Sequence, residues 1–475
     1  MGDLPRGASA FREGGGARQP RIDAPRGNGE PPVVTRLPGL LALGAALVLA
    51  ACAHRPPATS FDRATGVLSF DAAWRIVHET HFDTTFGGVD WAALGDSLRP
   101  VAERARSREA LRGVIRTMLD RLGESHFALI PRELADTLDP AAGTAVHGST
   151  GLDVRWIGGQ LLVTGVDSGS AAARAGVRPG WVVVAAGRDS VEALLRRARE
   201  RPGRYRIETA LWSAGHARLA PPLDSAVEVS FLDGADRPTR LRLVSEAERS
   251  EPIKYGNLPT FFVRFLHRRL EAPGGGCVGV IAFTGWLAPV MRQLDAAVDA
   301  DRGCAGMVLD LRGNTGGLGA MVAGVAGHFL DRPDTLGLMR TRQTTLAFVA
   351  NPRRVTADAR PVRPFAGPLA VLVDEGSASA SEVFAAGMQA LGRARVFGRT
   401  SMGAVLGASF DRLPDGDVLY HALGTITAHG GRALEGRGVI PDDSVTATRA
   451  DLLAGKDPVL DAALRWIAGQ SHGGA

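Results

Sequence analysis

Two short runs of apolar residues, each followed by a turn of small residues, constrain the fold of this chain more than any other sequence feature. The runs lie at 307–311 and 369–373, and each leads through its turn into a helical pattern. Short runs in which nearly every residue is apolar, here with Asp310 as the exception, are typical of strands buried on both faces of a parallel sheet. Strands and helices alternate beyond Pro252, which predicts a layered α/β domain. The predicted order is strand 277–283, helix 291–298, strand 306–311, a helix after Gly317, strand 369–373, a helix after Ser379 and strand 395–398.

The part of the chain before this domain shows two different patterns. Residues 61–131 place apolar side chains at helical spacing, for example Leu111, Ile115 and Met118, and predict helices. Residues 147–244 carry short apolar runs separated by Gly, Ser and Pro, and predict strands. With 475 residues, 45% of them hydrophobic, the chain is long enough for two or three domains.

The strand-rich segment resembles a PDZ domain. The resemblance rests on Gly151, Leu152, Asp153 and Val154 at the start of a strand, followed by a turn, helix and turn over 169–181. PDZ domains bind extended C-terminal peptides at a sheet edge, and their loop amides hold the terminal carboxylate. The four residues would form that loop here. Asp153 would repel a carboxylate, so the sequence does not decide whether free C-termini bind.

The N-terminal region predicts export. Residues 1–35 are rich in Gly, Pro and Arg, a composition typical of disorder, and from Arg36 an apolar run of signal-peptide length ends in small residues before Cys52. This end resembles the bacterial lipoprotein processing box, which implies cleavage before Cys52 and lipidation of that residue. An ordinary signal peptide with an incidental cysteine is the alternative. Because Ala53 is not the aspartate associated with inner-membrane retention, we expect a lipid-anchored envelope protein that faces the periplasm, with the outer membrane favoured.

Charge and cysteine content argue against several classes of partner. The 55 Lys and Arg against 50 Asp and Glu give a net charge of +5, without a basic cluster, so no nucleic acid is expected. Cys52, Cys277 and Cys304 form no metal-ligand pattern, and we expect neither a metal nor an organic cofactor. Cys277 and Cys304 could form a disulfide in an oxidising envelope or remain buried thiols. The membrane is expected to be contacted through the lipid anchor only, and the oligomeric state is not predicted.

The turns that follow the two apolar strands are the best candidates for a site. The glycines from Gly313 to Gly317 allow close approach of backbone to a ligand, but their spacing does not give a dinucleotide fingerprint. Ser379 stands at a predicted helix start, where free amides and the helix dipole would favour an oxyanion beside a nucleophile. The run from Ser379 to Glu382 is equally a capping box, which requires no catalysis. The turn by itself leaves both interpretations open.

Four motifs in a fixed order favour the catalytic interpretation. They are LGESH at 122–126, DLRGNTGG at 310–317, GSASASE at 376–382 and EGRGVIPD at 435–442. With the PDZ-like segment between the first two, they resemble the C-terminal processing peptidases over about residues 61–445. The resemblance implies a crotonase-like α/β catalytic domain with an N-terminal helical segment and an inserted PDZ domain. The implied division is 1–51 leader and signal peptide, 52–60 tether, 61–140 helical domain, 141–246 PDZ domain, 247–468 catalytic domain and 469–475 tail.

This family has two catalytic styles, and one residue discriminates between them. In one style a lysine about 25 residues after the serine acts as the base, but Ala404 occupies that position here. The other style resembles the core of the tricorn protease and activates the serine with a histidine. Ser379 as nucleophile and His126 as base match that pattern. Ser125 and Glu435 match the residues that orient and polarise the imidazole.

The resemblance also implies an oxyanion hole and a reaction. Gly316 or Gly317, together with the amide of Ala380, would hold the oxyanion. The expected activity is hydrolysis of peptide bonds in envelope proteins or peptides through an acyl-enzyme. A catalytically inactive, peptide-binding scaffold and a hydrolase of small esters or amides are the alternatives.

Two other histidines are candidates for the base. His421 and His429 lie near the Glu435 segment in sequence and are rival bases. His126 itself could instead be a structural residue at a helix end. The sequence therefore fixes a single histidine only through the family resemblance.

Overall fold

The computed structural model describes residues 61–137, 148–200, 205–253, 261–272 and 275–471. The predicted leader, Cys52 and the tether lie outside the described residues. Within these ranges the chain has a mixed α/β fold, and no helix is both long and apolar enough to cross a membrane. Helices α1 to α12 are Arg63–Thr80, Trp91–Glu103, Arg108–Asp120, Arg132–Thr137, Ala171–Arg174, Val191–Glu200, Ile207–Leu219, Ala288–Ala300, Gly319–Ala326, Ala380–Ala390, Arg449–Leu453 and Pro458–Ser471.

The strands form three larger sheets and two short ribbons in the described residues. Strands β1 to β21 are Ala128–Ile130, Gly148–Ser149, Leu152–Ile157, Gln160–Val166, Val182–Ala186, Asp189–Ser190, Ala226–Leu232, Pro238–Val244, Glu246–Ala247, Glu251–Ile253, Phe261–Val263, Phe265–Glu271, Cys277–Phe283, Gly306–Asp310, Asp334–Arg340, Thr345–Ala350, Leu369–Val373, Arg395–Gly398, Leu406–Arg412, Val418–Ala428 and Asp443–Ser444.

Helices α1, α2 and α3 form the N-terminal helical layer where the apolar spacing predicts it. Each begins at a side chain that accepts a free backbone amide, namely Asp62, Asp90 and Ser107. The side chains of Leu111 and Ile115 on α3 are fully buried in the core of this layer. The amphipathic pattern thus directs one face of α3 into a core, as the sequence predicts.

The strand-rich segment folds into a sheet in the order β3-β4-β5-β7-β8. Helix α7 packs against β3, the edge strand, with Val154 close to Gly215 of the helix. Val154, Leu161, Val163 and Val229 fill the core of this sheet.

The central sheet has the order β12-β13-β14-β17-β18-β21, and all neighbouring pairs except β12–β13 are parallel. The two apolar runs form β14 and β17, and Val308 pairs with Ala370. Because neighbouring parallel strands end at the same edge of a sheet, the turns that follow β14 and β17 lie side by side. These turns carry the Gly313–Gly317 and Ser379 segments.

An antiparallel sheet, which the sequence pattern does not predict, covers the other side of α10. Its order is β1-β20-β15-β16, and β19 also pairs with β20. Every residue from Ala380 to Met388 on α10 is buried, since the helix lies between this sheet and the central sheet. Ala128 of β1 pairs with Tyr420 of β20. This pairing ties the LGESH turn, which directly precedes β1, to the part of the chain that carries Ser379.

Cys277 and Cys304 form a disulfide, which decides between the two alternatives that the sequence leaves open. Cys277 begins β13, and Cys304 lies just before β14, so the bridge closes the β13–α8–β14 unit.

Candidate active site

Ser379 sits at the start of α10 in a conformation that few residues other than glycine adopt. Its backbone has φ 54° and ψ −116°. Its amide donates to Oε2 of Glu382 at 3.0 Å and to the carbonyl of Ala404 at 2.9 Å. A strained backbone that is fixed by surrounding hydrogen bonds is typical of functional sites.

The turn after β14 packs directly against Ser379. Gly316 has φ 99°, and a Cβ added there would lie 2.6 Å from the Cβ of Ser379, so only glycine fits this position. The two turns are joined by Asn314, whose carbonyl accepts the amide of Ala378 at 3.0 Å and the hydroxyl of Ser381 at 2.9 Å. The DLRGNTGG and GSASASE motifs therefore form one structural unit around the serine.

Glu382 is completely buried and anchors this unit through its hydrogen bonds. Besides the amide of Ser379, it accepts the hydroxyl of Ser401 at 2.5 Å and the amides of Gly403 and Ala404 at 2.7 and 3.0 Å. Burial raises its pKa to about 7, although these hydrogen bonds act in the opposite direction. The carboxylate thus forms the Glu half of the predicted capping box and also anchors the 401–404 loop. The sequence predicts only the first of these contacts.

His126, Ser125 and Glu435 form a continuous chain of hydrogen bonds. Oγ of Ser125 lies 2.6 Å from Nδ1 of His126 and donates to Oε2 of Glu435 at 2.9 Å. Oε1 of Glu435 accepts the amide of Ser125 at 2.9 Å, and Oε2 also accepts the amide of Val405 at 2.7 Å. The first and fourth sequence motifs therefore meet in space.

The direction of these hydrogen bonds defines the tautomer of His126. The Ser125 hydroxyl has one proton, and it is donated to Glu435. Oγ must then accept from Nδ1–H of the imidazole, which leaves the lone pair on Nε2. Nε2 makes no hydrogen bond with any described residue, so it is available as a base.

The surroundings of His126 keep the imidazole neutral. Burial lowers its pKa to about 4. Its ring lies 5.4 Å, between centroids, from the ring of Tyr420, whose pKa is raised by burial. Burial also raises the pKa of Glu435. Like Ser379, His126 has a positive φ, 61°. It lies in the turn before β1.

Ser379 and His126 line the same cavity, whose volume is about 740 Å³. Gly316, Gly317 and Ala380 line it as well. The amide of Gly316 donates to Oδ1 of Asn314 at 3.0 Å, whereas the amides of Gly317 and Ala380 make no hydrogen bond with any described residue. The two amides that can accept a new partner at this cavity are therefore those of Gly317 and Ala380.

The other sequence candidates for the base lie elsewhere. His421 is buried between Thr80 and Asp411, and Nδ1 of His429 is held by the carbonyl of Thr335. Neither side chain lines the cavity. Ala404, at the place of the family lysine, is buried beside Ser379 and has no group that could accept a proton.

The predicted peptide-binding residues lie away from this cavity. Gly151 precedes β3, while Leu152, Asp153 and Val154 are its first residues. Asp153 is not a free negative charge, because it pairs with Arg155 and, at 2.8 Å, with Nε2 of His216. These partners offset the negative charge of Asp153, so the repulsion of a carboxylate that the sequence predicts is reduced.

Arg155, on β3, ties this segment to the turn that leads to Ser379, a contact that the sequence does not predict. Its Nε donates to Oδ2 of Asp374 at 2.6 Å, and Oδ1 of Asp374 accepts the amides of Gly313 and Gly376. In the described ranges no group of three or more His, Cys, Asp or Glu is placed to hold a metal ion.

Two family matches agree with this arrangement. Residues 277–445 match Peptidase family S41, and residues 69–120 match the tricorn protease C1 domain. The first match contains β13, β14, β17 and α10, with Ser379, Glu382 and Glu435. The second covers the greater part of α1 and all of α2 and α3, which precede the LGESH turn.

Proteins with similar sequences are named as carboxyl-terminal-processing peptidases or tricorn protease homologues. Carboxyl-terminal-processing peptidase 3 of Arabidopsis thaliana is 26% identical over 412 residues, which cover 82% of this chain and 72% of that protein. The carboxyl-terminal-processing protease of Synechocystis is 24% identical over 409 residues, with 85% and 86% covered. Tricorn protease homolog 1 of Streptomyces coelicolor is 25% identical over 415 residues, which are 83% of this chain and only 34% of that protein.

Solved structures show the same fold. The photosystem II D1 C-terminal processing protease has a TM-score of 0.56 and 24% identity, with 85% of this chain and 97% of that chain covered. Mature CPAF has a TM-score of 0.59 and 12% identity, with 87% and 98% covered.

The S41 match and the similar proteins indicate a serine-type peptidase. Residues 277–445 match the S41 peptidase domain, and the similar proteins are named as C-terminal processing peptidases and tricorn protease homologues.

Proposed function

We propose that the chain hydrolyses peptide bonds with Ser379 as nucleophile and His126 as general base. The observation that carries the proposal is that Ser379 lines the same cavity as His126, the residue at the end of the Glu435–Ser125–His126 chain of hydrogen bonds. A lysine base is not available at position 404, and the neutral imidazole has its lone pair on Nε2.

The proposed reaction is acyl transfer in two steps. Oγ of Ser379 attacks the peptide carbonyl carbon while Nε2 of His126 takes the hydroxyl proton. The C–N bond then breaks, and the imidazolium gives that proton to the departing amine. Water attacks the resulting ester by the same route and releases the acid and the free serine. Ser125 and Glu435 keep the imidazole in the required tautomer and support its positive charge.

The amides of Gly317 and Ala380 would hold the oxyanion of the tetrahedral intermediate. Both are free, both line the cavity, and Ala380 begins helix α10, whose dipole favours negative charge at that end. The hydrogen bond from Gly316 to Asn314 favours Gly317 over Gly316 in this role.

A protein substrate in the cell envelope fits the remaining sequence features. The lipoprotein-like processing box at Cys52 and the Cys277–Cys304 disulfide both favour an oxidising compartment outside the cytoplasm. In this proposal residues 141–246 act as an inserted PDZ domain, the catalytic domain is crotonase-like, and lipid on Cys52 anchors the chain on the periplasmic side. Metabolic labelling with palmitate should mark the wild type and leave Cys52→Ala unlabelled; equal labelling would reject the anchor.

Hydrolysis of an unfolded protein tests the proposed activity. Wild type should cut denatured casein into peptides, whereas Ser379→Ala and His126→Ala should each lose at least 10³-fold in rate. A wild type that is folded and inert would favour the alternative of a peptide-binding scaffold.

A further inference from the structure

We infer that His81, at the end of α1, is a positioning residue for the catalytic base. It holds the residues on both sides of the Ser125–His126 pair and so fixes the turn from which His126 acts. This inference rests on the role of His126 as general base in the proposed function. It extends that role to a second histidine, which does not itself line the cavity.

The imidazole of His81 is hydrogen-bonded at both nitrogens. The residue directly follows α1 and is completely buried. Nε2 lies 3.0 Å from Oε2 of Glu124, and Nδ1 lies 2.8 Å from the carbonyl of Asp83. Because a carboxylate only accepts hydrogen bonds, Nε2 carries a proton and donates it to Glu124. The end of α1 is thereby joined to the residue that precedes Ser125.

The same ring also contacts the residue that follows His126. The rings of His81 and Phe127 are stacked, with centroids 5.7 Å apart and an angle of 15° between their planes. Glu124 and Phe127 are the two neighbours of the Ser125–His126 pair in the chain. One side chain therefore holds this segment of four residues at both of its ends.

The turn that carries His126 requires such support. Its φ of 61° lies in the left-handed region, which is unfavourable for a residue with a side chain. Such conformations persist where the surrounding contacts fix them. When the contacts at Glu124 and Phe127 are released, we expect the backbone to relax toward a negative φ. The imidazole would then move away from the hydroxyl of Ser125, which lies 2.6 Å from Nδ1.

The surroundings of His81 argue against packing as its sole role. Besides Phe127, its ring contacts the rings of Phe82 and Phe86, at centroid distances of 4.7 and 5.2 Å. An apolar side chain would fill such an aromatic pocket without the cost of burying polar nitrogens. A histidine is suited to this place because its Nε2–H can bond Glu124.

The backbone of His81 is bonded to the sheet that lines the cavity. Its carbonyl accepts Nε of Arg342, which lies in the turn between β15 and β16. Strand β16 lines the cavity with Leu346 to Val349. His81 is thus fixed at its backbone by one wall of the cavity, and its side chain holds the turn that carries the base.

Removing the hydrogen bond while keeping the ring tests the inference. His81→Phe retains an aromatic ring beside Phe127 but cannot donate to Glu124. We expect kcat on denatured casein to fall about 30-fold with KM within threefold, since a small misplacement of a catalytic group can cost about 10²-fold. A kcat within threefold of the wild type would overturn the inference.

The matched control is His78→Phe. His78 lies one turn earlier on α1, is exposed and stacks on Trp74. Its substitution by Phe makes the same chemical change on the same helix and should alter kcat less than twofold. A loss equal to that of His81→Phe would mean that α1 as a whole, rather than His81, supports the base, and would overturn the inference.

Two substitutions of Glu124 separate loss of the hydrogen bond from misfolding. Glu124→Leu removes the acceptor and should lower kcat as much as His81→Phe does. Glu124→Gln keeps an amide oxygen that can accept from Nε2–H, so its loss should be at least tenfold smaller. Equal losses in the two variants, with equal midpoints of thermal unfolding, would contradict positioning through this bond.

A double variant shows whether His81 acts through His126. His126→Ala has no base to position, so adding His81→Phe should leave its rate of fluorophosphonate labelling at Ser379 within twofold, because residues that act as a unit are not additive. Losses that multiply would mean that His81 affects the fold, and would overturn the inference. Failure of the wild type to react at Ser379 would reject the proposed function itself, whereas a wild-type labelling rate in His81→Phe rejects only the positioning role.

Discussion

The hydroxyl of Ser125 donates to Oε2 of Glu435 at 2.9 Å and joins two residues that are 310 positions apart in the chain. The same oxygen lies 2.6 Å from Nδ1 of His126, so one hydroxyl links a buried carboxylate to the imidazole. The helical layer and the peptidase domain must therefore fold together before His126 can act as a base.

Removal of the Ser125 hydroxyl should impair catalysis rather than binding. Ser125→Ala leaves Nδ1 without its acceptor, so the tautomer with a free Nε2 is no longer fixed. We expect kcat to fall about 10²-fold with KM within threefold, since general base catalysis contributes about 10²–10⁴. Ser97→Ala, an exposed site on α2, is the matched control. A change in KM alone would contradict the account.

The low pKa of His126 predicts an unusual acid limit. The reaction requires the neutral imidazole, and burial lowers its pKa to about 4. The value of kcat/KM should therefore stay high as the pH falls through 6.5 and decline only around pH 4. Steady-state kinetics on a peptide that does not titrate between pH 3.5 and 8 would measure this profile. A midpoint near 6.5 would mean that His126 is exposed to solvent.

The buried Glu382 should make stability depend on pH. Its pKa rises from 4.5 to about 7 on folding, so the folded state binds a proton that the unfolded state releases between these values. The stabilising contribution is complete below pH 4.5 and is lost as the pH rises through 7, by up to about 3 kcal/mol. Glu382→Gln cannot titrate and should not show this loss. Urea unfolding of both proteins at pH 4.5 and 7.5 would reveal it, and parallel pH dependence would contradict it.

The disulfide should stabilise the fold without affecting the chemistry. It closes a loop between residues 27 positions apart, for which the chain-entropy model gives about 3.5 kcal/mol. Neither cysteine lines the cavity. The double variant Cys277→Ser, Cys304→Ser should lose roughly this free energy of unfolding and keep its kcat/KM at 25 °C. Dithiothreitol should destabilise the wild type alone; equal sensitivity of both proteins would argue against the bridge.

Local pattern predicts some parts of this molecule and cannot predict others. The apolar runs at β14 and β17 and the helical spacing around Ile115 are periodic signals, and the structure contains those elements. The pairing of β1 with β20 and the β15–β16 hairpin depend on contacts across long stretches of chain. Short strands such as β16 carry a weak signal, because their neighbours determine which face is buried.

The site, like the fold, has residues that the sequence predicts and contacts that it cannot predict. The sequence motifs predict four site residues, namely Ser379, His126, Ser125 and Glu435. The structure joins the last three in one chain of hydrogen bonds. The anchoring of the 401–404 loop by Glu382 could not be read from a capping box alone. The choice between Gly316 and Gly317 depends on where a single amide points, which sequence spacing does not encode.

Mapping the site of a covalent fluorophosphonate adduct tests the central claim most directly. The full chain would be treated with the probe and digested, and the modified peptide would be sequenced by mass spectrometry, with Ser379→Ala and His126→Ala treated in parallel. The account predicts one adduct, on Ser379, which is absent from the first variant and at least 10²-fold slower to form in the second. Labelling at full rate in His126→Ala, or an adduct on another serine, would contradict activation of Ser379 by His126.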